Sequence, residues 1–176
     1  MKYVFDFDNT VVFSDAANNA AYNEVLELFG LPAIKTTARI TRRDVFERYL
    51  DLTEEERVKI VREKQKHYSP ELTVLNQNII DLVIKNEPEN CVLWSRADSD
   101  RVERILDYHG IRYFFSDVII SPKKSINEEI AFLCSRYSCR PCDLVIYDDE
   151  PIILKQINEI GCETFLCKRN CILKYE

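Results

Sequence analysis

The sequence predicts an α/β fold: a Rossmann-like, parallel five-stranded sheet flanked by helices, with a small α-helical domain inserted after the first strand. Three observations carry this reading. Five short apolar runs have strand character, helical segments separate the later runs, and the stretch between the first two runs is wholly helical. A chain of 176 residues has room for one domain and one small insertion.

The apolar runs are Tyr3 to Phe7, Cys91 to Trp94, Asp117 to Ile120, Leu144 to Tyr147 and Thr164 to Cys167. Most are continuously apolar instead of alternating, as expected for strands buried on both faces of a parallel sheet. Asp98 is placed to cap a helix through Val102, Ile105 and Leu106 that stops at Gly110. Ser125-Ile126-Asn127-Glu128 reads as a capping box opening a helix through Ile130, Ala131 and Leu133. Pro151 suits the first turn of a helix carrying Ile153, Ile157 and Ile160, with Gly161 as its stop.

The interval from about Phe13 to Tyr68 breaks the strand–helix rhythm. Ala21, Val25 and Leu28 share a helix face before Gly30 and Pro32 end it; a second helix follows Thr41. Thr53 with Glu56 is a capping box for a third, and Leu75 to Ile84 forms a helix leading back to the second strand. The expected division is therefore 1–13 with 76–176 as the sheet domain, and 14–75 as the inserted helical cap.

Composition narrows the functional classes. A net charge of −6 argues against non-specific binding of nucleic acid, which needs a basic surface. No segment approaches the ~18 apolar residues of a membrane span, and no signal peptide is visible, so a soluble cytoplasmic protein is expected. Seven cysteines, an odd number, point to reduced thiols. Cys139 and Cys142 have CxxC spacing and could join Cys167 and Cys171 around zinc, but small core hydrophobes are the preferred reading.

Chemistry-bearing residues fall where four strands end. Asp6-Phe7-Asp8-Asn9-Thr10 follows the first, and side chains two positions apart on an extended chain, such as Asp6 and Asp8, share a side. Ser95 ends the second, Lys123-Lys124 follows the third, and Asp148-Asp149 ends the fourth. In an α/β sheet these ends open on the ligand crevice. Paired carboxylates repel unless neutralised, and a hard divalent cation with oxygen ligands neutralises them.

These pieces together resemble the haloacid dehalogenase superfamily, the aspartate-nucleophile phosphohydrolases, over essentially the whole chain. Asp6-Phe7-Asp8-Asn9-Thr10 resembles the first motif, Val92-Leu93-Trp94-Ser95 the second, Lys124 before a helix the third, and Ile146-Tyr147-Asp148-Asp149 the fourth. The resemblance implies Asp6 as nucleophile and Asp8 as general acid/base. It also implies Mg²⁺ held by Asp6, Asp148 and the Asp8 carbonyl, with Asp149 as the second carboxylate of the last motif. Ser95 and Thr10 would bind phosphate, and Lys124 would supply positive charge; it is favoured over Lys123 because it adjoins the Ser125 box.

Two positions depart from the pattern. Asn9 stands where Gly is most common, and Arg96 where a small or amide residue is frequent; Arg96 is a candidate substrate contact. The cap should choose the substrate, and Arg39 and Arg42, in a basic cluster with Arg43, suit a second phosphate or a carboxylate. The reading is a Mg²⁺-dependent phosphatase acting on a small phosphorylated metabolite. A phosphomutase is the alternative within the enzyme class, and a non-catalytic phosphate-sensing or protein-binding module the alternative outside it.

Overall fold

The computed structural model describes residues 1–169 and 171–175. In chain order its elements are β1 (Lys2–Phe5), β2 (Val12–Phe13), α1 (Asp15–Leu28), α2 (Arg42–Arg48), α3 (Glu54–Lys66), β3 (Val74–Leu75) and α4 (Gln77–Lys85). Then follow β4 (Cys91–Ser95), α5 (Ser99–Tyr108), β5 (Asp117–Ile120), α6 (Ile126–Tyr137), β6 (Leu144–Asp148), α7 (Pro151–Glu159), β7 (Glu163–Lys168) and β8 (Cys171–Lys174). The chain divides into two compact units, Met1–Phe13 with Leu75–Glu176, and Ser14–Val74.

The first unit is built on a sheet with the order β5-β4-β1-β6-β7-β8 among the described residues. Neighbours from β5 to β7 run parallel, as the apolar runs predict, with Val4 in register with Val92 on one side and Ile146 on the other. The expected count of five strands is corrected to six, because β8 adds an antiparallel edge to β7. Its apolar run, Cys171-Ile172-Leu173, is short and its side chains are mostly exposed, as befits an edge strand.

Two-sided burial explains the continuous runs. Every residue of β4 and of β6 is buried. On one face, Ile126, Ile130 and Leu133 of α6 with Ile153 and Ile157 of α7 pack on Val4, Val92, Trp94, Leu144 and Ile146. Each such side chain contributes roughly 1.5–3 kcal/mol on leaving water. On the other face Phe5, Tyr147 and Phe165 stack across three strands, at centroid distances of 4.8 and 4.9 Å. The Cys91 thiol donates to the Val83 carbonyl at 3.6 Å, tying α4 to that face.

Helix ends follow the sequence signals with one exception. Asp98 caps α5 by accepting from Arg101 N at 3.1 Å, Gly110 beyond the helix takes φ +64°, and Pro151 opens α7. The Ser125 capping box does not form. Glu129 does the work expected of that turn: it accepts from Lys124 N at 3.1 Å and from Trp94 Nε1 at 3.2 Å.

The second unit is helical, with a core of Tyr22, Val25, Leu26, Ile34, Ile40, Val45 and Ile60. Thr41 with Asp44 and Thr53 with Glu56 form reciprocal capping boxes. Asn18 donates to the Ile40 carbonyl and Asn19 to the Ala38 carbonyl, both at 2.8 Å, fastening the loop before α2 to α1. Among the described residues, no helix is long and apolar enough to cross a membrane.

Candidate active site

Parallel pairing sets the C-terminal ends of β1, β4 and β6 side by side, with β4 next to β5. The sheet unit therefore gathers Asp6, Ser95, the loop after β5 and Asp148 at one edge. Asp6 N donates to Tyr147 O at 2.8 Å, which extends the ladder one residue past β1. The chain then turns sharply: the amides of Val11 and Val12 both reach the Phe7 carbonyl, at 3.0 and 3.1 Å. Asn9 makes the turn in the left-handed region, φ +59°. Asn is among the few residues besides Gly that visit this region readily, which accounts for its presence there.

Lys123 is the centre of the arrangement. Its ammonium donates to Asp6 Oδ1 at 2.7 Å and to Asp148 Oδ2 at 2.8 Å, and its side chain is 1% exposed. The nitrogen also lies 4.6 Å from the centroid of the Trp94 ring. Lys123 has φ +48°, an uncommon conformation for a residue with a Cβ that is held by its surroundings. The expectation of Lys124 is thus corrected: Lys124 is exposed, and Lys123 is the lysine beside the carboxylates. The supposed signal for Lys124, the adjoining Ser125 box, is the one that does not form.

Electrostatics follow from burial. Removal from water pushes the Asp6 carboxyl up to about 7; Lys123 opposes that shift, while Asp148 and Asp149 add to it. Burial alone would push the Lys123 ammonium down, yet Asp6 and Asp148 outweigh it and hold its pKa above the usual value. Asp148 also accepts from Glu150 N at 2.9 Å through its other oxygen. One carboxylate oxygen from each of Asp6, Asp148 and Asp149 lies within 4.8 Å of the others. Three close carboxylates supply the hard oxygen donors that a divalent cation of the Mg²⁺ type takes, so these residues fit such an ion.

The remaining sequence candidates take definite places. Ser95 is buried at the end of β4, and its Oγ accepts from Ala97 N at 3.0 Å, which leaves its own proton to donate. Thr10 is fully buried beside the Cys167 thiol, which itself feels Asp148, Asp149 and Asp6. Arg96 is ion-paired to Glu150, linking the loops after β4 and β6. The side chain of Asp8 stands apart from the carboxylate trio: its two oxygens accept from the two terminal nitrogens of Arg101, at 3.1 and 2.7 Å.

Arg101 is the residue that sequence reasoning missed. It sits in the first turn of α5, is 4% exposed, and shares a buried stripe with Val102, Ile105 and Leu106. A charged residue within the apolar face of an amphipathic helix was the available signal. In the helical unit, Arg39 donates to Asp15 Oδ1 at 2.9 Å and to Ser14 Oγ at 3.0 Å. Arg42 is exposed and lies near Tyr22, whose hydroxyl pKa burial raises. The Asn18 and Asn19 amides are spent on backbone carbonyls of their own unit.

No protein-family model matches the chain, and no curated protein sequence does either. Solved structures do. A predicted phosphoglycolate phosphatase from Haemophilus somnus is similar with a TM-score of 0.77 at 19% identity, over 93% of this chain and 83% of that one. A haloacid dehalogenase-like family hydrolase from Streptococcus pneumoniae follows with a TM-score of 0.71 at 17% identity, over 93% and 82%. A β-phosphoglucomutase from Clostridium difficile has a TM-score of 0.64 at 18% identity, over 93% and 82%. The six-stranded sheet, with its helices and the carboxylates at its edge, has the fold of the haloacid dehalogenase-like hydrolases.

Proposed function

We propose that the protein is a Mg²⁺-dependent phosphatase that hydrolyses a small phosphomonoester through an aspartyl-phosphate on Asp6. The observation that carries this reading is the buried Lys123 ammonium shared between Asp6 and Asp148, with Asp149 completing a carboxylate trio. Buried charges in that number are costly, and phosphoryl transfer is chemistry that uses them. Two neighbours in fold bear the names of a phosphatase and a phosphoglucomutase, which supports phosphoryl chemistry at this edge.

Asp6, Asp148 and Asp149 would hold the cation, with the Asp8 carbonyl as a further oxygen. When bound, the ion neutralises charge on the phosphoryl oxygens. The Asp6 carboxylate forms a bond to phosphorus as the bond to the ester oxygen breaks, and that oxygen takes its proton from Asp8. Asp8 then receives a proton from water as the water oxygen bonds to phosphorus, and the bond to Asp6 breaks to release phosphate. Ser95 donates to a phosphoryl oxygen, and Lys123 keeps Asp6 and Asp148 from repelling one another. Thr10 adds to the same cradle.

Residues 14–75 act in this reading as the substrate-selecting cap, with Arg42 exposed for an anionic group and Arg39 braced by Asp15. Arg96, exposed and ion-paired to Glu150, is a further candidate substrate contact. The partner is a small phosphorylated metabolite, with neither nucleic acid nor membrane required. Seven free thiols suit the reducing cytoplasm. The phosphomutase alternative draws on the phosphoglucomutase among the neighbours.

A panel of phosphorylated metabolites, assayed for inorganic phosphate with Mg²⁺ and with EDTA, tests the proposal. Mg²⁺-dependent release that vanishes in Asp6→Asn is expected. Activity retained in Asp6→Asn would refute the nucleophile, and phosphoryl transfer without release of phosphate would favour the mutase.

A further inference from the structure

Both carboxylates of the DxD carry their own buried cation. Lys123 serves Asp6, and Arg101 serves Asp8. Arginine is almost never fully buried unless it is paired, so a 4% exposed Arg101 needs a reason at its position. Its main chain is fixed independently, because Asp98 accepts from Arg101 N at 3.1 Å as the cap of α5. From that anchor the guanidinium meets Asp8 edge to edge, Nη1 on Oδ1 at 3.1 Å and Nη2 on Oδ2 at 2.7 Å. A two-pronged contact fixes the plane of a carboxylate, whereas a single donor leaves it free to swivel.

We propose that Arg101 is a positioning residue: it holds the Asp8 carboxylate in the one orientation from which it can serve the reacting oxygens. The inference rests on the phosphatase reading and adds to it a residue from outside the motifs. The contact takes one lone pair from each Asp8 oxygen. Arg101 does not itself meet the phosphoryl group; it acts through Asp8. Its absence should therefore slow the steps that move a proton, and leave substrate binding at the Asp6 side nearly as it was.

The test uses p-nitrophenyl phosphate with Mg²⁺ and the full chain, in a double-mutant cycle of Arg101→Met and Asp8→Asn. Wild-type turnover that depends on Asp6 is the entry condition, and its absence would refute the phosphatase reading before any Arg101 variant is made. Arg101→Met keeps an apolar stem of similar length without the fork. A fall in kcat of about 10²-fold is expected, the scale of a misdirected proton-transfer group, with KM changed less than about threefold.

p-Nitrophenolate leaves with little need of a proton, so the slowed step is hydrolysis of the aspartyl-phosphate. A burst of p-nitrophenolate, and phosphoenzyme trapped by acid quench, should accompany the loss. In the Asp8→Asn background, Arg101→Met should cost less than about threefold, because the group it positions is already gone. An equal loss in both backgrounds, or no loss in a folded Arg101→Met, overturns the proposal. If Arg101→Met shows no cooperative melting, Arg101→Lys enters the same cycle, with a smaller loss expected from its single point of contact.

Discussion

The sheet unit interlocks buried charges, whereas the helical unit, which buries Lys64 against Tyr22 and Tyr68, uses most of its polar residues on its own backbone. At the edge of the sheet, buried Lys123 is bonded to Asp6 and Asp148, and buried Arg101 to Asp8, each across long stretches of sequence. In the helical unit, Asn18 and Asn19 bond backbone carbonyls, and Thr41 and Thr53 cap helices. The second set closes local hydrogen-bond accounts and explains itself as architecture. The first cannot be explained that way, because hydrophobic residues of similar volume would often be as stable or more so. Burial of several interlocked charges is what distinguishes a working edge from a structural one.

The contrast can be attacked most directly at Lys123. Replacing it with Met strands Asp6 and Asp148 beside each other, and about 3–5 kcal/mol of stability should be lost in the absence of a cation. Phosphatase activity should fall by at least about 10²-fold. Its exposed neighbour is the control: Lys124→Met should change stability by less than about 0.5 kcal/mol. Thermal melts and steady-state kinetics on both variants read the difference. A larger loss at Lys124 would return the assignment to the one first expected.

Next in size is the pH response of the carboxylate trio. The Asp6 carboxyl stands near 7 in the fold and near 3.8 unfolded, so between those values the folded state binds more protons. Stability from this group is full below the unfolded value and is lost as pH rises through about 7. A divalent cation competes with that proton. Mg²⁺ should therefore raise Tm more at pH 8 than at pH 5, by differential scanning fluorimetry, and Asp148→Asn should abolish most of the rise. An equal Mg²⁺ shift at both pH values would disconnect the ion from Asp6.

On the architectural side, Asn18→Ala leaves the Ile40 carbonyl without its partner. It should cost about 1–3 kcal/mol while kcat for a small phosphate ester stays within about twofold. A large loss of kcat here would erase the contrast between the units. The turn at Asn9 gives a further test. Asn9→Gly should be within about 1 kcal/mol of neutral, whereas the β-branched Asn9→Val at φ +59° should cost about 1–3 kcal/mol.

The same contrast decides what could be read from the sequence. Strands β4 and β6 are legible because two-sided burial demands continuous apolar runs; β1, β5 and β7 carry such runs although only partly buried, and β8, mostly exposed, carries only the short run Cys171-Ile172-Leu173. Asp6, Asp8, Ser95, Asp148 and Asp149 are legible as residues that end strands. Lys123 was not separable from Lys124, since a left-handed lysine has no compositional signature, although a left-handed asparagine at position 9 does. The Ser125 box misled because Glu129, not Glu128, is drawn into the turn by Trp94 and Lys124 N. Arg101 reaches Asp8 from 93 positions away, a distance over which no local spacing rule operates.

The stacking of Lys123 on Trp94 has an optical consequence. The protein contains a single tryptophan, and its ring centroid lies 4.6 Å from the ammonium that bridges Asp6 and Asp148. All indole emission from the molecule therefore originates beside the ammonium that bridges Asp6 and Asp148. An event that moves or screens that ammonium, such as the arrival of a cation or of phosphate, should change the fluorescence of an unlabelled chain. The site carries its own light source, and titrations can follow it without a substrate having been found.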